Sequence, residues 1–405
     1  MAKYNYDKSV LKGYGVGAFL GEVKEREAHI AAAPAEEIQS IFNANIVAGK
    51  LHPHVQFAKV AKVEEQPDAK LFTLVADESK GTESLAYFRA GQYISVVLGI
   101  EKALVTKPYT LASNPKDALG ENSSYRIMVK KADKGYGSDF ILNNWTEGTA
   151  VTISGPLGHY YYQELRDAKK IVAAAGGSGI TPFISMAYAV ADGIEDFDLT
   201  IIYGSKTESG IAFKAELDEL VKKAAGKIQM VHVLSDEKKE GYENGFITAD
   251  IIKKYAGNED YSLFICGNKP FYKHMHKVVD ELGLPIRRAR FEVGGEYGDP
   301  AQNPEYKGDK NAEYNIKVLV RGKYYYLKCK GDETLMHAVQ AAGIGITSDC
   351  RSGACGWCHS RLICGSVFIP EDADGRREAD KKFGWIHPCV TYPLSDIEME
   401  VFPVI

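Results

Sequence analysis

Four cysteines toward the C-terminal end carry the clearest chemistry. Cys350, Cys355 and Cys358 follow one another with four and then two residues between them, and Cys389 stands further on in Ile386-His387-Pro388-Cys389. This spacing suits a two-iron, two-sulfide centre held by four thiolates. The intervening Ser352-Gly353-Ala354 and Gly356 are small, as needed where backbone amides wrap closely around cluster sulfides. The alternative, a zinc knuckle, pairs two Cys-x2-Cys units or adds a pair of histidines. Only one such unit is present, so single-electron chemistry is expected.

A second signal is Gly176-Gly177-Ser178-Gly179-Ile180-Thr181-Pro182, which follows the apolar run 170–175 and opens a predicted helix. Free amides at a helix start, with glycines allowing close backbone approach, form a site for a pyrophosphate. A tight glycine turn without a ligand is the plain alternative; the strand before and helix after favour the site.

Composition narrows the class. The chain has 405 residues, 45% hydrophobic and 25% charged, with a net charge of −5. Length predicts two to three domains, and no broad basic field is present to attract nucleic acid or anionic lipid. No signal-like apolar run opens the sequence, and no uninterrupted apolar stretch reaches a membrane span of ~18 residues. Besides the four clustered cysteines, Cys266, Cys329 and Cys364 are scattered, which predicts reduced thiols and a cytoplasmic location.

The elements that must position these groups fall into segments. Residues 1–50 form an extension of unassigned role, with an amphipathic helix predicted over 35–45 after Pro34 and a surface turn at His52-Pro53-His54. Residues 51–166 show short alternating runs at 55–63, 70–75, 90–97, 125–129 and 150–154, the pattern of a small antiparallel barrel. Residues 167–293 alternate strands (170–175, 198–203, 229–234, 262–266) with helices (212–224, 270–282), as a doubly wound parallel sheet does. Residues 294–311, rich in Gly and Pro, read as a linker. In 312–405 a hairpin (316–320, 324–329) and a helix at 333–342 precede the cysteine loop, which describes a β-grasp fold.

Lys107-Pro108-Tyr109-Thr110, Gly176–Pro182, Cys266-Gly267-Asn268-Lys269-Pro270 and the cysteine loop occur in an order that resembles the ferredoxin-NADP reductase superfamily with a fused C-terminal ferredoxin, of the phthalate dioxygenase reductase type. The resemblance covers about 55–405 and leaves the first fifty residues unexplained. It implies a flavin-binding β-barrel, a nucleotide-binding domain and a plant-type [2Fe–2S] ferredoxin. Tyr109 would lie on the isoalloxazine, Thr110 near its N5, and Lys107 at the phosphate, where the family has Arg; a point charge thus replaces a bidentate fork. Lys130, Gly137 and Ser138 resemble a second flavin-phosphate element, with Ser138 at a helix start, where plain N-capping explains it equally well. Gly155-Pro156-Leu157-Gly158 resembles the turn closing the barrel.

For the nucleotide, the resemblance implies Gly176, Gly177, Gly179, Thr181, Pro182 and Gly267, with Ser205 and Lys206 at the adenosine ribose. Cys266 would lie beside the hydride-transfer centre, although a free cysteine there is as readily a buried apolar residue. Glu292 resembles an acidic residue near the flavin edge. Expected cofactors are FAD, with FMN as the alternative, a [2Fe–2S] cluster on Cys350, Cys355, Cys358 and Cys389, and NADH in preference to NADPH. The expected function is electron transfer from NAD(P)H through flavin and cluster to an unidentified redox protein, an oxygenase or another redox enzyme. Direct reduction of a small molecule and a non-catalytic redox-sensing subunit are the alternatives. Asp349, Glu371, Asp372 and Asp374 form a candidate acidic docking face.

Overall fold

The computed structural model describes residues 16–33, 42–131, 135–292 and 296–402. The chain divides into two units, Met1–Ala48 and Gly49–Ile405. In the first, α1 (Val16–Ala32) exposes every described side chain. Residues 35–41 of the expected helix lie outside the described residues; helix α2 begins at Asn43 and runs to Leu51.

In the second unit, six strands form the barrel: β1 (Gln56–Gln66), β2 (Ala69–Ala76), β3 (Tyr93–Ile100), β4 (Ala103–Thr110), β5 (Ser124–Lys130) and β6 (Ala150–Ile153), in the order β4-β3-β6-β1-β2-β5. Alternate residues turn inward, among them Ile94, Val96 and Leu98 on β3 and Tyr125, Ile127 and Val129 on β5. A bridge between Leu111 and Ile127 joins the two ends of this order. Strand β4, absent from the expected set, carries the Lys-Pro-Tyr-Thr motif. Pro108 and Lys107 broke its pattern in the sequence, and a proline without a donor is tolerated on a terminal strand of the order. Helix α3 (Tyr136–Asn144) covers this domain.

The parallel sheet follows: β7 (Lys170–Gly176), β8 (Asp198–Ser205), β9 (Ile228–Leu234), β10 (Glu243–Asn244), β11 (Tyr261–Cys266) and β12 (Ala289–Phe291), ordered β10-β9-β8-β7-β11-β12. The apolar run of β7 is buried on both faces. Ile171, Ala173 and Ala175 join one core with α4 (Thr181–Ala191) and α5 (Lys214–Lys223). Val172 and Ala174 join another with α6 (Ala249–Ala256) and α7 (Lys269–Leu282). This is the doubly wound arrangement. Thr248 and Asn268 cap α6 and α7, each accepting a backbone amide. Arg126 binds Glu216 across the barrel and this sheet, and Arg290 donates to the Tyr161 carbonyl (2.8 Å).

The last domain has the hairpin β13 (Glu313–Val320) and β14 (Lys323–Lys330), helix α8 (Leu335–Ala341), strands β15 (Ser360–Cys364) and β16 (Val367–Phe368), helix α9 (Glu378–Lys382), and strands β17 (Trp385–Ile386), β18 (Tyr392–Pro393) and β19 (Ile397–Val401). Its main sheet is ordered β14-β13-β19-β15-β17, with β19 parallel to β13. The described part of 294–311 is no free tether. Tyr297 is buried in this core, Tyr392 donates to the Gly298 carbonyl (2.7 Å), and Lys269 donates to the Tyr297 carbonyl (2.9 Å). Aromatic anchors within the Gly- and Pro-rich stretch fasten it.

Candidate electron-transfer site

Three expected residues meet where the barrel abuts the parallel sheet. Thr110, ending β4, donates through Oγ1 to Glu292 Oε1 at 2.8 Å, and the Cys266 thiol, ending β11, donates to Oε2 at 2.8 Å. Glu292 follows β12 and its amide donates to the Ile265 carbonyl, so adjacent parallel strands deliver the pair. Burial raises the Glu292 carboxyl to about 7 against the lowering effect of hydrogen bonds from Cys266 and Thr110. Burial, then the Glu292 charge, likewise raises the Cys266 thiol. Tyr272, which sequence reasoning passed over, is raised by burial and by the neighbouring Cys266 and Glu292. Its aromatic pattern reads as ordinary helix core, so nothing in the sequence singled it out.

The glycine-rich turn sits as expected between β7 and α4, with Gly177 at φ +56°. A Cβ on Gly179 would lie 2.0 Å from the Cys266 carbonyl oxygen, so only glycine allows the turn to reach β11. The ring of Phe271, another residue the sequence did not flag, covers both Gly176 and Gly267; a Cβ would meet it at 2.7 and 2.4 Å. Thr181 uses its hydroxyl internally, on the Ser178 carbonyl (3.1 Å), and Pro182 is buried in the first turn of α4. Ser205 Oγ is buried without a hydrogen-bond partner among the described residues, while Lys206 is exposed.

Around the second phosphate element the groups also converge. The Lys107 stem fills the space where a Cβ of Gly137 would lie, at 2.8 Å. Lys130 Nζ stands 3.9 Å from a Cβ placed on Gly177, bringing an ammonium to the glycine turn. Ser138 lies in the first turn of α3 but does not cap it: Gly135 holds the cap position and Ser138 donates to its carbonyl (3.2 Å). Tyr109 is half-buried against the barrel core. Lys107 Nζ is engaged by Glu296 at 2.6 Å, a partner too far along the chain to be visible in the sequence. These glycine cradles and ammonium groups fit a flavin and a dinucleotide pyrophosphate.

The four thiols gather two by two. Cys358 Sγ and Cys389 Sγ are 3.4 Å apart, and Cys350 pairs with Cys355. The amides of Cys355 and Ser352 point at Cys350 Sγ, at 3.3 and 3.5 Å. Two thiol pairs fit two irons, each with two thiolates, and donors around sulfur suit its negative charge. Among the described residues, no three His, Cys, Asp or Glu side chains converge on a single ion. Cys355 is exposed, and Trp357 beside it is 48% exposed. The expected acidic face is not continuous. Asp374 is clamped by Arg376 (2.8 Å) and Asp349 is half-buried, leaving only Glu371 and Asp372 exposed.

Family models match this chain in order: an oxidoreductase FAD-binding domain over 59–162, an oxidoreductase NAD-binding domain over 174–277 and a 2Fe-2S iron-sulfur cluster binding domain over 318–394. The ferredoxin reductase component of 3-ketosteroid-9-alpha-monooxygenase from Rhodococcus rhodochrous is 29% identical, over 83% of this chain and 93% of its own length. The glycine betaine monooxygenase reductase subunit of Chromohalobacter salexigens is 25% identical over 84% and 94%. In fold, the chain is similar to phthalate dioxygenase reductase, with a TM-score of 0.62 and 24% identity over 86% of this chain and 98% of that one. The three matched domains stand in the order of a ferredoxin-NADP reductase-like module with a fused C-terminal [2Fe–2S] ferredoxin. The chain is an NAD(P)H oxidoreductase that passes electrons through FAD and a [2Fe–2S] cluster to a partner redox protein.

Proposed function

We propose that this protein is the cytoplasmic, NADH-using reductase component of an oxygenase system. The names of the two relatives support an oxygenase as acceptor. The observation that carries the reading is the paired set of four thiols, with Cys355 and Trp357 exposed at one edge, in a chain that also holds the glycine turn. Among the described residues, no helix is long and apolar enough to cross a membrane. In this reading residues 51–166 hold the flavin, 167–293 the nicotinamide nucleotide and 312–405 the cluster, with 294–311 as the linker, fastened at Tyr297 and Gly298.

The bound cofactors supply the exchange between two-electron and one-electron transfer. The chain places and tunes them. Gly176, Gly177 and Gly179 let backbone amides approach a pyrophosphate, with Thr181 and Pro182 shaping the helix start and Gly267 leaving room for the nicotinamide. Ser205 and Lys206 face the adenosine ribose. Lys130, Gly137 and Ser138, with the α3 amides, receive the flavin phosphate, and Lys107 contributes its charge nearby. Tyr109 supports the flavin ring and Thr110 orients its reactive edge. Glu292, held by Thr110 and Cys266, keeps a proton that it can release near neutral pH. Cys350, Cys355, Cys358 and Cys389 hold the cluster.

Reconstitution tests the reading. The purified holoprotein, NADH and a candidate oxygenase component should together form hydroxylated product, with little formed when either protein is omitted. Rapid NADH-driven reduction of a physiological small molecule by the reductase alone, without turnover in any oxygenase mixture, would instead favour a small-molecule acceptor.

A further inference from the structure

Three side chains from different parts of the chain meet between the flavin motif and the cluster loop. Glu296 Oε1 accepts from Lys107 Nζ at 2.6 Å and from Arg351 Nε at 2.5 Å. Arg351 Nη1 donates onward to Gln340 Oε1 on α8 at 3.0 Å. Arg351 is only 3% exposed and adjoins the cluster ligand Cys350; its left-handed backbone, φ +54°, is uncommon for a residue with a side chain. Lys107 lies in the Lys-Pro-Tyr-Thr motif of β4. The contact sits beside two further ties, Thr106 Oγ1 to the Ser348 carbonyl (2.9 Å) and Ser95 Oγ to the Asp349 carbonyl (3.3 Å). Against burial, which pushes it up, Arg351 and then Lys107 hold the Glu296 carboxyl down to about 2, so it stays ionised through the working pH range.

We infer that Glu296 is a positioning residue: its carboxylate latches the cluster loop, through Arg351, onto the flavin-binding strand, through Lys107. In consequence, Lys107 in this chain serves domain docking in addition to its charge near the flavin phosphate. The inference rests on the reading that electrons cross from flavin to cluster within one chain. A carboxylate shared by two cations fixes the separation of the two domains at the point where they are closest in function, and small misplacements are costly to transfer.

The latch also predicts opposite effects on driving force and rate. Glu296→Gln leaves the buried Arg351 charge uncompensated beside the cluster, which favours the reduced cluster and shifts its midpoint potential upward. Driving force alone would then speed transfer. Loss of docking instead slows it about tenfold. The experiment uses the full-length holoprotein as wild type, Glu296→Gln and Glu296→Asp, with stopped-flow absorbance, spectroelectrochemistry and amide hydrogen exchange. The expected result is unchanged flavin reduction by NADH, slower cluster reduction in Glu296→Gln despite the raised potential, faster exchange over 348–353, and partial recovery in Glu296→Asp. Cluster reduction within about twofold of wild type, or equal slowing of flavin and cluster reduction, would overturn the latch. Failure of the wild type itself to reduce its cluster through the flavin would overturn the underlying reading instead.

Discussion

Glu292 is the residue whose chemistry is most exposed to test. Its carboxyl is raised by burial from 4.5 to about 7. Between those values the native chain keeps a proton on Glu292 that the unfolded chain has lost, so the contribution of this group to stability is greatest below about pH 4.5 and is lost as pH rises through 7. The loss is on the order of 3 kcal/mol. Glu292→Gln should flatten this slope, which thermal unfolding of both proteins at pH 5 and pH 8 measures directly. At the same scale, Tyr109→Ala and Thr110→Ala should lower flavin content or slow flavin reduction by roughly tenfold or more. Unchanged flavin content and reduction rate would remove both from the site. The trio Thr110, Cys266 and Glu292 was named from sequence, but their sharing of one carboxylate appears only once the strands are assembled.

At the scale of elements, the glycine turn depends on β11 as much as on its own residues. Gly179→Ala places a methyl against the Cys266 backbone, 2.0 Å from its carbonyl oxygen. The turn must then move relative to the nicotinamide position. A displacement of about 1 Å is expected to lower kcat/KM for NADH on the order of a hundredfold, measured with a dye acceptor on protein of unaltered flavin content. What was legible in the sequence follows from period and run length. The buried runs of β7, β8, β9 and β11 were readable because both faces are covered, and the cysteine spacing because one loop carries three ligands. Strand β4 was missed because Pro108 interrupts it, and α6 because only eight residues form it. In 296–311 composition shows flexibility but not the burial of Tyr297. Glu296, Arg351 and Phe271 act through contacts between residues far apart in sequence, which local pattern cannot reveal.

For the whole molecule, the order of domains matters more than any one contact. Arg89 through Glu195, Arg126 through Glu216 and Arg290 through the Tyr161 carbonyl tie the barrel to the parallel sheet, and the cluster domain meets the barrel through hydrogen bonds, the edge contact of Tyr136 with His337 and the Glu296 ion pairs. The barrel and the parallel sheet together make the block to which the cluster domain is docked, all within the one unit Gly49–Ile405. Electrons leave this block through the cluster, and Cys355→Ser in the full-length protein shows whether they must. Under anaerobic mixing with NADH, the variant should bleach its flavin within about threefold of the wild-type rate, while cytochrome c reduction falls about a hundredfold or more. Equal loss of both activities in a folded variant that retains its flavin, or cytochrome c reduction at the wild-type rate, would mean that electrons do not leave through the cluster.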